Sequence, residues 1–257
     1  MDLLIGSTGF VGSTLISQRN FDYCYNSDNI AKIEKDKDID GIVVCAAPSA
    51  KKYLANQNPL LDLNNINKLI SHIKFLKCKT FILISTVDVF REPINIFEDS
   101  SVIENGLHPY GLNRRMLENF VINNFNNYLI VRLSGLVGPG LRKNIVFDFK
   151  NNNDLDKIDC RNIYQFYPII NLWKDIEIAL KANLKLIHLT AEPISVAEVS
   201  KQGFGKIFNN KLSAKLIKYD MRTKYGKLFG VNKDYQYSSD ESINAIHQYN
   251  QSEIEYK

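Results

Sequence analysis

The chain has 257 residues, 45% of them hydrophobic and 23% charged. That is the make-up of an ordinary globular protein, long enough for one large α/β domain or one such domain with a small appendage. The net charge is only +4, from 32 basic and 28 acidic residues with no basic block, so composition argues for neither nucleic acid nor a membrane surface as partner. No apolar run reaches the length of a membrane span. The apolar N-terminal segment is cut by Gly6, Gly9 and Gly12 and reads as structure, not as a signal peptide. Four histidines are dispersed and suggest no metal site. Four cysteines (Cys24, Cys45, Cys78, Cys160) are scattered without a CxxC pair, which fits free thiols and a cytoplasmic location.

In chain order, DLLIG predicts a short strand and FVGSTLISQ a helix. FDYCYN is a second strand. GIVVCAA and KTFILIST are continuously apolar, as strands covered on both faces are. Between them, Leu61, Ile66, Leu69, Ile70, Ile73 and Leu76 recur at helical spacing. PYGLNRRMLENFVINNF predicts a helix and NYLIVRLSGLVG a strand followed by a loop. The polar run KNNNDLDKIDCRN reads as a surface loop. LWKDIEIALKA is a helix and KLIHLT a short strand. EPISVAEVSKQGF is a turn and helix, with Ser195 as cap and Glu198 three residues on. The tail mixes aromatics and charge. Strands separated by helices imply right-handed crossovers and a parallel, doubly wound sheet.

Gly6, Gly9 and Gly12 space a GxxGxxG motif between the first strand and the first helix. Glycines let backbone amides approach a pyrophosphate, and the helix N-terminus adds N–H groups and positive potential. Ser7, Phe10 and Val11 complete this candidate cofactor loop. An acid usually stands about 20 residues on, where it holds the adenosine ribose. Here Asn26 and Ser27 occupy the strand end, with Asp28 slightly late. An uncharged tip spares a 2′-phosphate repulsion, so NAD(P) is the expected cofactor, with NADP slightly preferred. Asn26 also reads as an ordinary turn residue.

These motifs, taken with CAAPSA at 45–50, ISTVDVF at 84–90, HPYGLNR at 108–114 and RLSGLVGPG at 132–140, resemble the extended short-chain dehydrogenases/reductases. The resemblance is to the NAD-dependent epimerase/dehydratase group acting on nucleotide sugars, nearest in motif to the dTDP-4-dehydrorhamnose reductase type. It covers most of the chain, most strongly residues 1–140. It implies a Rossmann-type α/β fold with a small C-terminal substrate-binding lobe. Residues 1–140 would form the NAD(P)-binding core and 141–257 the rest of the sheet and the lobe, in one compact unit. It also implies a possible homodimer and a nucleotide-linked keto-sugar as substrate.

By position, Thr86 and Tyr110 match the hydroxyls that flank the sugar carbonyl in that group. A tyrosine hydroxyl can give a proton to an oxyanion as hydride arrives, and a second hydroxyl can polarise the same oxygen. Free tyrosine titrates near 10, about three units too high for efficient acid–base work at neutral pH. A cation at i+4 lies on the same helix face and lowers that value. The family's lysine there is replaced by Arg114, which keeps the charge and could hold ribose hydroxyls but is not interchangeable with lysine. Arg115 points about 100° around the helix. The Asp-Glu pair of dehydratases is Val87 and Asp88 here, which argues against 4,6-dehydration. Ala46, Ala47, Pro48 and Ser134 would flank the nicotinamide and its ribose. Asp88, Asn144 and Trp173 are candidate substrate contacts, with Arg222 and Lys224 as further candidates for a diphosphate. The expected activity is that of an NAD(P)-dependent reductase or epimerase; the competing reading is an NAD(P)-binding redox sensor without turnover.

Overall fold

The computed structural model describes residues 1–33 and 38–252. In chain order the elements are β1 (Leu3–Ile5), α1 (Phe10–Gln18), β2 (Tyr23–Tyr25), β3 (Asp38–Cys45), α2 (Lys52–Gln57), α3 (Pro59–Ile73), β4 (Lys77–Thr86), β5 (Ile94–Ile96), α4 (Pro109–Asn124) and β6 (Tyr128–Leu133). There follow β7 (Gly135–Val137), α5 (Ile145–Asn151), β8 (Ile163–Tyr164), β9 (Phe166–Pro168), α6 (Leu172–Lys181), β10 (Leu186–Leu189), β11 (Ile194–Ser195), α7 (Val196–Glu198), β12 (Asp220–Met221) and α8 (Ser239–Gln251). No helix among the described residues is long and apolar enough to cross a membrane.

The central sheet has six strands in the order β10-β6-β4-β3-β1-β2. The pairs β1–β2, β1–β3 and β3–β4 are parallel, as the α/β reading expects. Leu3, Val43 and Phe81 stand in one row across three strands, and Ile5, Cys45 and Leu83 in another. Both rows join the core cluster with Ile66, Leu69 and Ile73 of α3 and Leu117 and Val121 of α4. Leu4, Val44 and Ile82 alternate to the opposite face and are fully buried too. Burial on both faces is why these strands read as unbroken apolar runs. The chain reverses its direction of growth at β1, moving out to β2 and then back across to β3. In open α/β sheets the crevice at such a switch point holds the ligand.

The chain forms two compact units. The first comprises 1–91, 99–132 and 176–187; the second comprises 92–98, 133–175 and 188–257. In the second unit β12 pairs with β5, β9 with β7 and β11 with β8. Buried polar side chains hold it together. Gln165 donates to Thr190, Ala191 and Met221 and accepts from the Met221 amide. Glu98 accepts from the Thr223 hydroxyl and from the amides of His188 and Lys224. The Tyr167 and Tyr237 hydroxyls both donate to Asp175, whose carboxyl is pushed up by burial.

Two local expectations change. The segment after Leu133 is not a plain loop, because Gly135–Val137 forms β7 against β9. The polar run at 150–162 is only partly surface, with Asp159, Cys160 and Asn162 buried. The side-chain oxygens of Asp159 and Asn162 accept backbone amides of Arg161, Leu212 and Ile217, so polarity there serves the backbone and not solvent. The capping box of Ser195 and Glu198 forms as the spacing predicts.

Candidate active site

The glycine loop follows β1 directly. Gly6 has φ +91, and a Cβ there would lie 2.8–2.9 Å from the Ala46 and Ala47 backbone. A Cβ on Gly12 would lie 2.0 Å from the Gly6 carbonyl oxygen. Side chains at these two positions would therefore fill the turn, and α1 could not close on it. The Gly6 and Ser7 amides donate to the Tyr25 carbonyl, and the Ala46 amide donates to that of Ile5, which fixes the 46–48 segment beside the loop. The α1 helix starts at Phe10 with no side-chain cap and no acid in its first turn. Its first amides, including those of Phe10, Val11 and Gly12, have no intrahelical acceptor. An uncapped helix start behind a glycine turn fits the pyrophosphate of a dinucleotide. At the tip of β2, the Asn26 side-chain oxygen accepts the Asp28 and Asn29 amides, and the Ser27 hydroxyl bonds to Asp28. Asn26 is thus a turn-forming residue.

The second half of the site is built on α4. Tyr110, Arg114, Leu117 and Val121 follow at helical spacing, and all four are buried. The polar pair thus continues the apolar stripe. Gly111 is what allows this, since a Cβ there would meet the Asp88 carbonyl oxygen at 2.1 Å. Its absence lets the first turn of α4 lie against the turn at Val87–Val89, which brings Tyr110 to Thr86. There the Thr86 side chain acts on the phenol in the sense that favours its ionisation. The Thr86 hydroxyl accepts the Asp88 amide at 3.1 Å and keeps its own proton to give. Asn56 of α2 accepts the Tyr110 amide at 2.9 Å, and His108 Nδ1 accepts that of Gly111 at 3.0 Å.

Arg114 directs its guanidinium at groups of the protein itself. One arm of its guanidinium pairs with Asp62 of α3, the other donates to the Ser49 carbonyl, and its plane lies 4.0 Å over the Tyr110 ring. Asn113 donates to the same Asp62 carboxylate at 2.9 Å. Burial pushes the Tyr110 phenol up to about 12, against the opposing pull of Arg114, the Thr86 side chain and Lys52; Asp88 adds to the rise. Arg115 faces away from Tyr110, toward Glu104 and Glu118.

His108 carries a testable pH dependence. Burial and the nearby Lys52 ammonium hold its imidazole below the usual value, while Asp88 acts in the opposite sense. As a cap it must keep Nδ1 unprotonated. On acidification the unfolded chain takes up this proton first, from about pH 6.5. Stability is therefore expected to fall as pH drops below that value and to level off below the folded-state value. Substituting His108→Asn keeps a capping acceptor and should flatten this limb in thermal unfolding between about pH 7 and 5. An unchanged slope would assign the acid sensitivity elsewhere.

The remaining candidates lie in the second unit. Ser134 is buried and bonds to the Gly135 carbonyl. The Asn144 amide caps α5 and donates to Leu136, so both its ends serve the backbone. Trp173 is 8% exposed on α6. Arg222 pairs with Asp220 and Asp234, and the Lys224 amide donates to Glu98.

Three functional-side neighbours carry no signal in the motifs: Asp62, Lys52 and the buried Glu118–Arg132 pair. Lys52 donates to Asp88 at 2.7 Å. Glu118 receives Arg132 at 2.7 and 2.9 Å, Ser85 at 2.6 Å and Arg115 at 2.9 Å, tying α4 to β4 and β6 behind Thr86.

A glycine turn between strand and helix, at the switch point of a parallel sheet, defines a Rossmann-type nucleotide-binding fold. The sequence profile of the NAD dependent epimerase/dehydratase family matches residues 18–154. The chain belongs to that family. No curated protein matches it. Among solved structures, a UDP-galactose 4-epimerase superposes with a TM-score of 0.72 at 14% identity over 97% of both chains. The dTDP-4-dehydrorhamnose reductase of Bacillus anthracis str. Ames, in complex with NADP, gives 0.71 at 18% identity over 96% of this chain and 97% of that one. A UDP-glucuronic acid 4-epimerase mutant from Bacillus cereus, with UDP-4-deoxy-4-fluoro-glucuronic acid and NAD, gives 0.71 at 18% identity, covering 97% and 99%. At these identities the likeness is one of fold.

Proposed function

We propose that the protein is an NAD(P)-dependent reductase of a nucleotide-linked keto-sugar. The observation that carries this reading is the Thr86–Tyr110 hydroxyl pair: Tyr110 lies on the buried face of α4, and Gly111 lets the first turn of that helix close on the turn after Thr86. A reductase needs that tyrosine only as an acid. An epimerase needs it as a base as well, to take the alcohol proton before returning it. Burial keeps Tyr110 in the protonated form from which a reductive cycle starts, and the weaker acid that burial makes of it is offset in part by the cations nearby.

In this scheme Thr86 and Tyr110 bracket the carbonyl oxygen, and Tyr110 gives it a proton as negative charge develops there. Gly6, Ser7, Gly9, Phe10, Val11 and Gly12 hold the pyrophosphate, with Ala46, Ala47 and Pro48 beside the nicotinamide ribose. The bound cofactor supplies the hydride. NADP is preferred over NAD because no acid ends β2; competitive binding of the two should show it. Arg114 orients the Tyr110 ring and props it from its face.

The test mixes purified protein with NADPH or NADH and a panel of nucleotide-linked 4-keto-sugars. Loss of nicotinamide absorbance is expected. Cofactor binding without turnover across the panel would move weight to the second reading, an NAD(P)-binding redox sensor. The replacement of lysine by Arg114, with its fork engaged by Asp62 and Ser49, favours that reading. The variant Arg114→Lys separates them, since an enzyme changes its rate and a sensor stays inert.

A homodimer is proposed through α3 and α4, where Leu60 (75% exposed), Leu61 (61%), Leu112 and Ile122 present apolar surface. Light scattering should give twice the chain mass, and Leu60→Glu with Leu61→Glu should return a monomer; a monomeric native protein would end this proposal.

A further inference from the structure

Arg114 stands where a tuning cation is expected, yet its contacts are those of a strut. Both arms are taken, and its guanidinium meets the ring of Tyr110 from the face. A different cation approaches through another element. Lys52 opens α2, and its ammonium lies 2.7 Å from Asp88 Oδ1. The Asp88 amide bonds to the Thr86 hydroxyl, and the Thr86 side chain acts on the Tyr110 phenol. The Tyr110 amide in turn bonds to Asn56, back on α2. Lys52, Asp88, Thr86, Tyr110 and Asn56 thus close a ring of contacts through which α2 is registered against the phenol.

We propose that Lys52 is a second positioning cation of this site, stabilising the Tyr110 oxygen once its proton has left, beside Arg114, which acts as a fixed support from the face of the ring. The role assigned to Tyr110 rests on the reading given under the proposed function.

The charges around Tyr110 are few. Arg114 and the capping His108 come from α4 and its start, Asp88 from the turn after β4, Lys52 from α2, and Asp62 from α3 is neutralised on Arg114. Arginine is permanently charged and here buried, so Arg114 is a constant. Lys52 is different, with a side chain 38% exposed on a flexible stem, paired to a carboxylate that is 16% exposed. Removing the ammonium withdraws an attraction and also leaves Asp88 as an uncompensated anion near the phenol. Both changes oppose ionisation of Tyr110. Nothing in the local sequence marks Lys52 out, since it follows Lys51 in a short polar segment.

The test titrates Tyr110 itself. Protein labelled with difluorotyrosine, whose more acidic phenol titrates in an accessible range, is followed by fluorine NMR, with the Tyr110 signal assigned by its loss in Tyr110→Phe. In Lys52→Gln the Tyr110 titration should move up by about one unit, the low end of what an adjacent opposite charge produces. In Asp88→Asn it should move down, and in Lys52→Arg it should stay in place. A purely structural lysine would leave the titration of Lys52→Gln where it is in the native protein, and that result overturns the proposal. If Lys52→Gln does not fold, Lys52→Met keeps the stem and carries the same comparison with the same two outcomes. A native protein that passes this test but turns over no keto-sugar refutes the proposed function and leaves the placement of Lys52 standing.

Discussion

Replacing Glu118 with alanine is expected to cost about 3–5 kcal/mol, the usual penalty for leaving a buried partner charge uncompensated. For a chain of this size that corresponds to a fall in melting temperature of roughly 6–20 °C. Glu118 has no exposed surface and Arg132 only 2%. Two arginine nitrogens, the Ser85 hydroxyl and Arg115 all converge on its carboxylate, and these bonds hold its carboxyl below the usual range despite burial. Alanine would take the Glu118 carboxylate away from Arg132, which lies buried over the Phe90 ring. Adding Arg132→Met should recover much of the loss, because the charge that needed a partner is gone. Thermal unfolding of the two single variants and the double variant measures this. A single-variant loss below about 1 kcal/mol would place the pair among weak surface-like bridges.

Tyr110→Phe is expected to lower turnover by about 10²–10⁴-fold, the range for removing a positioned proton donor. The loss should fall on kcat with little change in KM or cofactor affinity, since the ring and its contact with Arg114 remain. Only the phenol oxygen and its transferable proton disappear. The reductive rate of the native protein should also stay flat across neutral and mildly alkaline pH, because the phenol holds its proton up to about 12. A variant within a few-fold of native turnover would show that the proton comes from another group. A native rate rising steeply with pH would point to Tyr110 acting as a base, and so toward epimerisation.

The sheet and the two motifs were legible because each rests on short-range pattern. Three glycines between a strand and a helix locate a turn, and four-residue spacing puts Tyr110 and Arg114 on one face. What the pattern does not carry is the partner. Asp62 stands on α3 at an unremarkable position, and only the packing of α3 on α4 brings it to Arg114. The same holds for Lys52 with Asp88, and for Ser85, Glu118 and Arg132, which come from three elements. Asn144 shows the converse. Its residue type suits a phosphate, but left-handed backbone at φ +88 and two capping bonds commit its amide to α5. Strand β7 is illegible in the sequence because its three residues, one of them Gly135 and the next after them Gly138, carry no periodicity to read.

The start of α4 is fastened from outside the helix. The Tyr110 and Gly111 amides, which a free helix would leave to water, bond instead to Asn56 and His108. Their hydrogen exchange should therefore be slow for first-turn positions, and the Tyr110 amide should exchange together with the amides of α2 and not with the rest of α4. Release of α2 would loosen the backbone of Tyr110 while the core behind it stayed closed.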